Sequence, residues 1–298
     1  MSFLPISILA YALNAGSIVI DKILIRNILP NPLIYTFYIN ILSLLVIILI
    51  PFGLNLNNQT LIMGAISGIL FVFAVYTLFK ALKLGEASVV GPVVGALNPL
   101  FTLLFVTFFL NQILTSSQIM GFSVLLTGAL LLTVNIWLKK LRLNKQLFWM
   151  VISGFFFSLA YISLKETFLS SNLITGIVVS RVAAGLFVLP LIGFPSFRKQ
   201  IFVKRNDQFS NKKTLFLLIL GQGMAATSGL LISIAISLAS PALVNSLFGV
   251  QYLVILGVAI ILARKHPQLL DESLTKGVLM QKLIGVGVLS LGVYLLSK

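Results

Sequence analysis

Apolar residues run along this chain in long uncharged blocks, closed off by glycines, prolines or basic residues. A hydrocarbon core about 30 Å thick needs roughly 20 apolar residues in a helix. Two such blocks, Ala87–Leu110 and Gln118–Leu138, are joined by a very short polar link and predict a helical hairpin in lipid. Upstream lie Phe3–Ile20, then Leu33–Phe52, opened by Pro30 and Pro32 and closed by Pro51 and Gly53, then Leu61–Lys80. In the last of these Gly64 and Gly68 stand four apart, a spacing that lets helices approach closely. Downstream the blocks run from about Leu147 to Leu164, Leu173 to Phe194, Leu215 to Leu238, Ala242 to Ala263 and Leu279 to Leu296. Ten spans are expected. The cations nearest the first block, Lys22 and Arg26, follow it, so the block lacks the positive lead of a signal peptide and is read as a retained helix. The longest polar stretch, Pro195–Thr214, is basic and receives no predicted element.

The pattern occurs twice. GPVVGALNPLFTLLF from Gly91 lies over VNSLFGVQYLVILGV from Val244, with an Ala-Ser pair ahead of each, Ala87-Ser88 and Ala239-Ser240. QIMGFSVLLTG from Gln118 lies over KLIGVGVLSLG from Lys282, placing Gly121 and Gly128 over Gly285 and Gly292. An internal duplication is the economical explanation. It divides the chain into a five-helix unit over residues 1–138, a basic linker over 139–146 and a second five-helix unit over 147–298. Because each unit has an odd number of spans, the second enters the membrane with the opposite orientation. The expected fold is therefore an all-α membrane protein of ten transmembrane helices built as two inverted repeats, an arrangement typical of secondary transporters.

Composition agrees with lipid as the solvent. Hydrophobic residues make up 59% of the chain and charged residues 9%, with a mean hydropathy of +1.11, too little polar surface for a soluble protein of this length. A formal charge of +15 would point to nucleic acid in a soluble protein. Here the cations collect between the apolar blocks, where they set orientation, and nucleic-acid binding is not expected. With the loops assigned alternately to two sides, every cation except Arg181, Lys165 and Lys298 falls on one of them. The positive-inside rule then places both termini outside a cell (inner) membrane. The chain has no cysteine, which excludes disulfides and thiolate metal sites.

Several short segments resemble the EamA-type transporters of the drug/metabolite transporter superfamily. They are Asn14, Gly16 and Ser17 in the first helix, ALKLGEAS over Ala81–Ser88, the Asn98-Pro99 pair in helix four and Gln118 with Gly121 opening helix five. The resemblance covers nearly the whole chain. It departs from the family pattern ahead of helix five of each half, where a Glu is usual and this chain has Asn111-Gln112 and Arg264-Lys265. It also departs at Tyr252, which stands where the second half would repeat Pro99. The resemblance implies a secondary transporter, an exporter of small organic metabolites such as amino acids or drug-like compounds. It implies no cofactor and no enzymatic step.

Polar residues at membrane depth are costly and tend to face an interior. Arg181 lies about 12 Å into helix seven by helical rise. It reads either as a fixed cation for an anionic substrate group or as a structural side chain bonded to helix-end carbonyls or snorkelling to an interface. Tyr11, Asn14 and Asp21 share one face of helix one, and Ser158, Tyr161 and Lys165 repeat part of that stripe in helix six. They read as cavity lining or, for the charged pair near the span ends, as interfacial anchors. Tyr38, Tyr76, Asn98, Gln222, Asn245 and Gln251 are further lining candidates, with Tyr35 and Asn40 beside them. Pro92 and Pro99 are expected to break the hydrogen-bond ladder of helix four and free carbonyls toward the cavity.

No acid is expected squarely inside a span. The chain offers no carboxylate pair, no histidine cluster for a metal and no phosphate-cradling loop. An enzyme and an ATP-driven pump are therefore disfavoured. If transport is coupled to protons, Asp21 is the candidate carrier of the charge. A membrane scaffold or flippase subunit handling a lipid-linked head group is the competing reading, distinguished by a lateral groove in place of a closed polar cavity. Small-molecule substrate and bilayer are the expected partners, and the sequence leaves the oligomeric state open.

Overall fold

The computed structural model describes residues 3–110, 115–135, 140–141, 145–202, 212–238, 247–265 and 275–296. Its helices are α1 (Phe3–Asn27), α2 (Pro32–Leu42), α3 (Asn58–Leu84), α4 (Ala87–Leu110), α5 (Ser116–Thr133), α6 (Lys145–Ser170), α7 (Leu173–Val188), α8 (Pro195–Phe202), α9 (Lys212–Leu238), α10 (Phe248–Lys265) and α11 (Lys276–Leu296). Among the described residues 9 helices are long and apolar enough to cross a membrane, and a shorter apolar helix, Gly249–Leu262, accompanies them within α10. The expected ninth span began at Ala242, and its first residues lie outside the described ones.

Asparagines start several of these helices. Asn31 accepts from the Leu33 amide at 3.0 Å, Asn172 accepts from the Thr175 amide at 2.8 Å, and Asn57 forms a reciprocal capping box with Thr60. Each satisfies amides that a helix N-terminus leaves without an internal partner.

Several boundaries differ from the sequence expectation. The second and seventh spans do not remain α-helical: Ser43–Phe52 and Leu189–Gly193 continue α2 and α7 as 3₁₀ turns. Pro51 and Pro190 lie in these tightened segments, and neither has an N–H to give an α-helical ladder. The first tightened segment ends at Gly53, whose φ of 129° only glycine adopts readily. Helix four was expected to break at its prolines, but α4 runs through both Pro92 and Pro99. The basic stretch 195–214 is not without structure, because its first eight residues form α8. Phe197 and Ile201 of α8 are buried against Phe37, Ile34 and Val188, and this packing supplies what local propensity did not. The expected fifth span ends at Thr133, where a two-residue antiparallel pairing sets Val134 against Leu141 and Asn135 against Lys140.

Numbered contacts give the relative directions of the helices. Ser153 Oγ donates to the Ala74 carbonyl at 2.9 Å and Ser67 Oγ donates to the Ala160 carbonyl at 2.8 Å, so α3 and α6 run antiparallel. Gly16 faces Met224 and Gly221 faces Ile20, which makes α1 and α9 antiparallel. Asn172 at the start of α7 donates to the Gly53 carbonyl at 2.8 Å, while Gly185 near its end faces Asn40 and Leu44, and α2 and α7 are antiparallel too. In contrast α1 and α10 run parallel, Asn14 meeting Gln251 while Ile23 and Ala259 share a cluster further along. So do α4 and α6, through Leu97 against Gly154 and Thr102 against Ser158. These are the directions expected of helices that alternate along the chain with α8 left out of the alternation. Large apolar side chains such as Ile48, Phe52, Phe216 and Met280 point outward, where lipid solvates them.

Candidate functional site

The polar residues foreseen at membrane depth separate into two groups. The first lies near the middle of α1. Asn14 donates through Nδ2 to Gln251 Oε1 of α10 at 3.1 Å, and Gln251 is buried. Tyr11, one turn earlier, is fully buried, with Tyr161 of α6 and Tyr252 of α10 in electrostatic range. Tyr252 sits against Gly95 of α4, a close approach that a side chain at Gly95 would obstruct. Tyr161 is 46% exposed. Its ring stacks on Phe157 with centroids 6.0 Å apart, and Phe157 meets Phe71 edge-on at 5.8 Å.

Arg181 closes this group. Its guanidinium lies 3.8 Å from the centre of the Phe71 ring, and Tyr161 interacts with it electrostatically. A cation held on an aromatic face is stabilised by the ring quadrupole without spending its N–H donors. No carboxylate among the described residues pairs with it. Its own carbonyl lies 3.5 Å from the Ser43 hydroxyl of the 3₁₀ segment, which ties α7 to the end of α2. The arrangement presents a fixed cation with unspent donors, an aromatic wall and an amide pair, a set suited to an organic molecule with an anionic group.

The second group lies closer to the end of α1. No acid was expected squarely inside a span, and this is corrected: Asp21 lies within α1 and is 7% exposed. Its carboxylate accepts a hydrogen bond from the Tyr35 hydroxyl of α2, Gln222 of α9 faces the same hydroxyl, and Gly221 packs beside the carboxylate. The Tyr35 ring in turn packs on Phe79 with centroids 4.4 Å apart. Asp21 thus binds α1 to α2 and α9, and its partners are not those of Asn14.

The remaining candidates are dispersed. Tyr38 is partly buried at the edge of two apolar clusters, next to Phe37. Tyr76 lies under the Lys80 ammonium, 4.6 Å from the ring centre, with Trp149 of α6 on the same cation at 4.0 Å. Asn98 is half-buried in α4, and its carbonyl accepts from Thr102 at 3.0 Å. Asn40 is buried and donates back to the Thr36 carbonyl at 2.8 Å. Lys165 is exposed. Asn245, like His266, lies outside the described residues.

Two cations counted among the loops belong elsewhere. Lys22 is 2% exposed and donates from Nζ to the Leu82 and Gly85 carbonyls, each at 2.6 Å, where α3 ends. Lys282 is buried in α11 and pairs with Glu86 at the start of α4. Sequence reasoning assigned Lys282 to a loop although it stands six residues inside an apolar helix, and that position was the available signal. Phe71 and Phe157 were not foreseen, because aromatic residues fill apolar blocks throughout this chain. Among the described residues no group of acids and histidines could hold a metal ion.

No curated protein matches the chain. Residues 3–134 match the EamA-like transporter family. The match lies within the first half of this multi-pass helical membrane protein and is consistent with the drug/metabolite transporter superfamily.

Proposed function

We propose that the chain is a secondary transporter that exports small organic metabolites carrying an anionic group, such as amino acids, by alternating access between two inverted five-helix units, residues 1–138 and 147–298. The observation that carries the proposal is the meeting of Asn14 with Gln251 and of Tyr161 with Arg181 near mid-depth, which joins polar groups from both units in one place. Arg181 binds the anionic group, and Tyr11, Asn14, Tyr161 and Gln251 line the remainder of the site.

The helix pairings support an inverted repeat. When α1 to α5 are laid in order on α6, α7, α9, α10 and α11, the α3–α6 pair exchanges with α1–α9 and the α4–α6 pair exchanges with α1–α10. The α2–α7 and α5–α11 pairs each map onto themselves. With ten crossings the cation-rich ends face the cytoplasm and both termini lie outside. Asp21 is the residue through which a proton gradient drives the cycle, since it is a buried carboxylate on the helix that also carries Asn14.

The test is transport into proteoliposomes of compounds whose export rises in cells overproducing the protein. Arg181→Ala abolishes transport of the anionic substrate in a protein that remains monodisperse, and Arg181→Lys retains part of it. Unchanged transport by Arg181→Ala refutes the site. Comparison of inside-out with right-side-out vesicles reads the direction.

A further inference from the structure

Between the mid-depth site and the cation-rich end, the helices close in layers. Asn14 and Gln251 form the uppermost. One turn along α1, Ile18 and Ile255 of α10 close on Gly91 of α4, where an added Cβ would lie 2.9 Å from Ile255 Cδ1 and 3.4 Å from Ile18 Cγ2. One further turn brings Lys22, whose ammonium holds the carbonyls of Leu82 and Gly85 at 2.6 Å and so fixes the α3–α4 turn. The next residue of that turn is Glu86, paired with Lys282. Eight residues of helical rise put this ionic layer about 12 Å from Asn14.

The ionic layer joins the two units. Glu86 is at the start of α4 and Lys282 is in α11, and Gln281 beside it donates to the Leu131 carbonyl of α5 at 2.5 Å. Gln146 at the start of α6 packs on Gly85. Glu86, Gln146, Met150, Gln281 and Lys282 line a small cavity there.

Energetics favours a switching role for the pair over a purely structural one. Two ions removed from water lose solvation that their attraction only about repays, so a buried pair contributes little net stability compared with apolar packing. If the layer parts, water re-enters and solvates both ions. The pair therefore holds the seam firmly while closed at a modest net cost of separation, which is what a reversible seal between two moving units requires.

We infer that Glu86 and Lys282, held in register by Lys22, form a gate that seals the cation-rich end of the substrate path below an apolar plug of Ile18, Gly91 and Ile255. This inference rests on the transporter reading for its meaning, and its test does not. The absence of cysteine from the chain allows a single probe, Asn14→Cys, to be labelled with a membrane-impermeant thiol reagent applied at the cation-rich face.

With the pair intact, labelling is slow. Glu86→Gln in the same background accelerates it about tenfold or more, the shift that losing a buried pair implies. Exchanging the charges, Glu86→Lys with Lys282→Glu, returns it to the slow rate. Labelling that is fast with the pair intact, or unchanged by Glu86→Gln in a protein of normal elution profile, overturns the gate. Where Glu86→Gln fails to fold, the charge-exchanged protein decides: slow labelling upholds the gate and fast labelling overturns it. Gated labelling of the Asn14→Cys protein, together with no transport of the exported compounds by the wild-type protein that keeps Asn14, refutes the transporter reading and leaves the seal standing.

Discussion

Gly128 of α5 faces Leu289 of α11, and the relationship is returned in reverse by Gly292 of α11 facing Leu125 of α5. Seven residues away along each helix, Gly121 faces Leu296 and Gly285 faces Leu132. As numbers rise on one helix they fall on the other, so the pair is antiparallel, and exchanging the helices leaves the contact set unchanged. A local two-fold axis perpendicular to both helices has this effect. Between helices that cross a bilayer such an axis lies in the membrane plane.

The glycines supply the closest approach. A Cβ on Gly128 would lie 2.9 Å from the Leu289 amide nitrogen, and one on Gly292 would lie 2.8 Å from the Leu125 amide nitrogen. Backbone cannot move aside as a side chain can, so Gly128→Ala and Gly292→Ala each cost about 1–3 kcal/mol. Gly287, on α11 with nothing within 4 Å, is the control. Thermal unfolding in detergent is expected to show the loss at both facing glycines and none for Gly287→Ala.

Lys22 is a structural cation. Replacing it by methionine keeps the apolar stem and leaves the Leu82 and Gly85 carbonyls without their donor in a buried place, at about 1–3 kcal/mol. A lowered midpoint in the same unfolding assay checks this. Lys83, exposed on the same turn, is expected to tolerate the same change.

Asn14 and Gln251 are expected to couple weakly. Interhelical hydrogen bonds in membranes average about 0.6 kcal/mol by double-mutant cycle, since unpaired groups find other partners. The cycle Asn14→Ala, Gln251→Ala and both together, measured by unfolding, should give a term of that order. Transport should fall by far more than the stability does if both groups line the site.

Asp21 and Tyr35 separate coupling from binding. Asp21→Asn should leave downhill movement of substrate intact and remove its response to an imposed pH gradient. Tyr35→Phe removes the donor and keeps the carboxylate, so coupling should persist with an altered pH profile. Proteoliposomes with and without the gradient measure both. A wild-type protein indifferent to the gradient rules out coupling through Asp21.

What the sequence by itself determined was set by short-range rules. Lipid offers the backbone no partners, so an apolar block folds as a helix, and block length alone located the 9 long apolar helices found among the described residues. The glycine spacing in α5 and α11 was legible for the same reason, since two helical turns return to one face. Tertiary structure decided which polar groups meet. Asn14 and Gln251 are 237 residues apart in sequence, and nothing local marks one as the other's partner. Lys22 and Lys282 looked like loop cations because a lysine near the end of an apolar block ordinarily reaches water. Their burial followed only when the end of α3 and the start of α4 came within range of their ammonium groups. The same holds for α8, whose few residues cannot hold a helix alone and fold against Phe37 and Val188, a surface that exists only after α2 and α7 have packed.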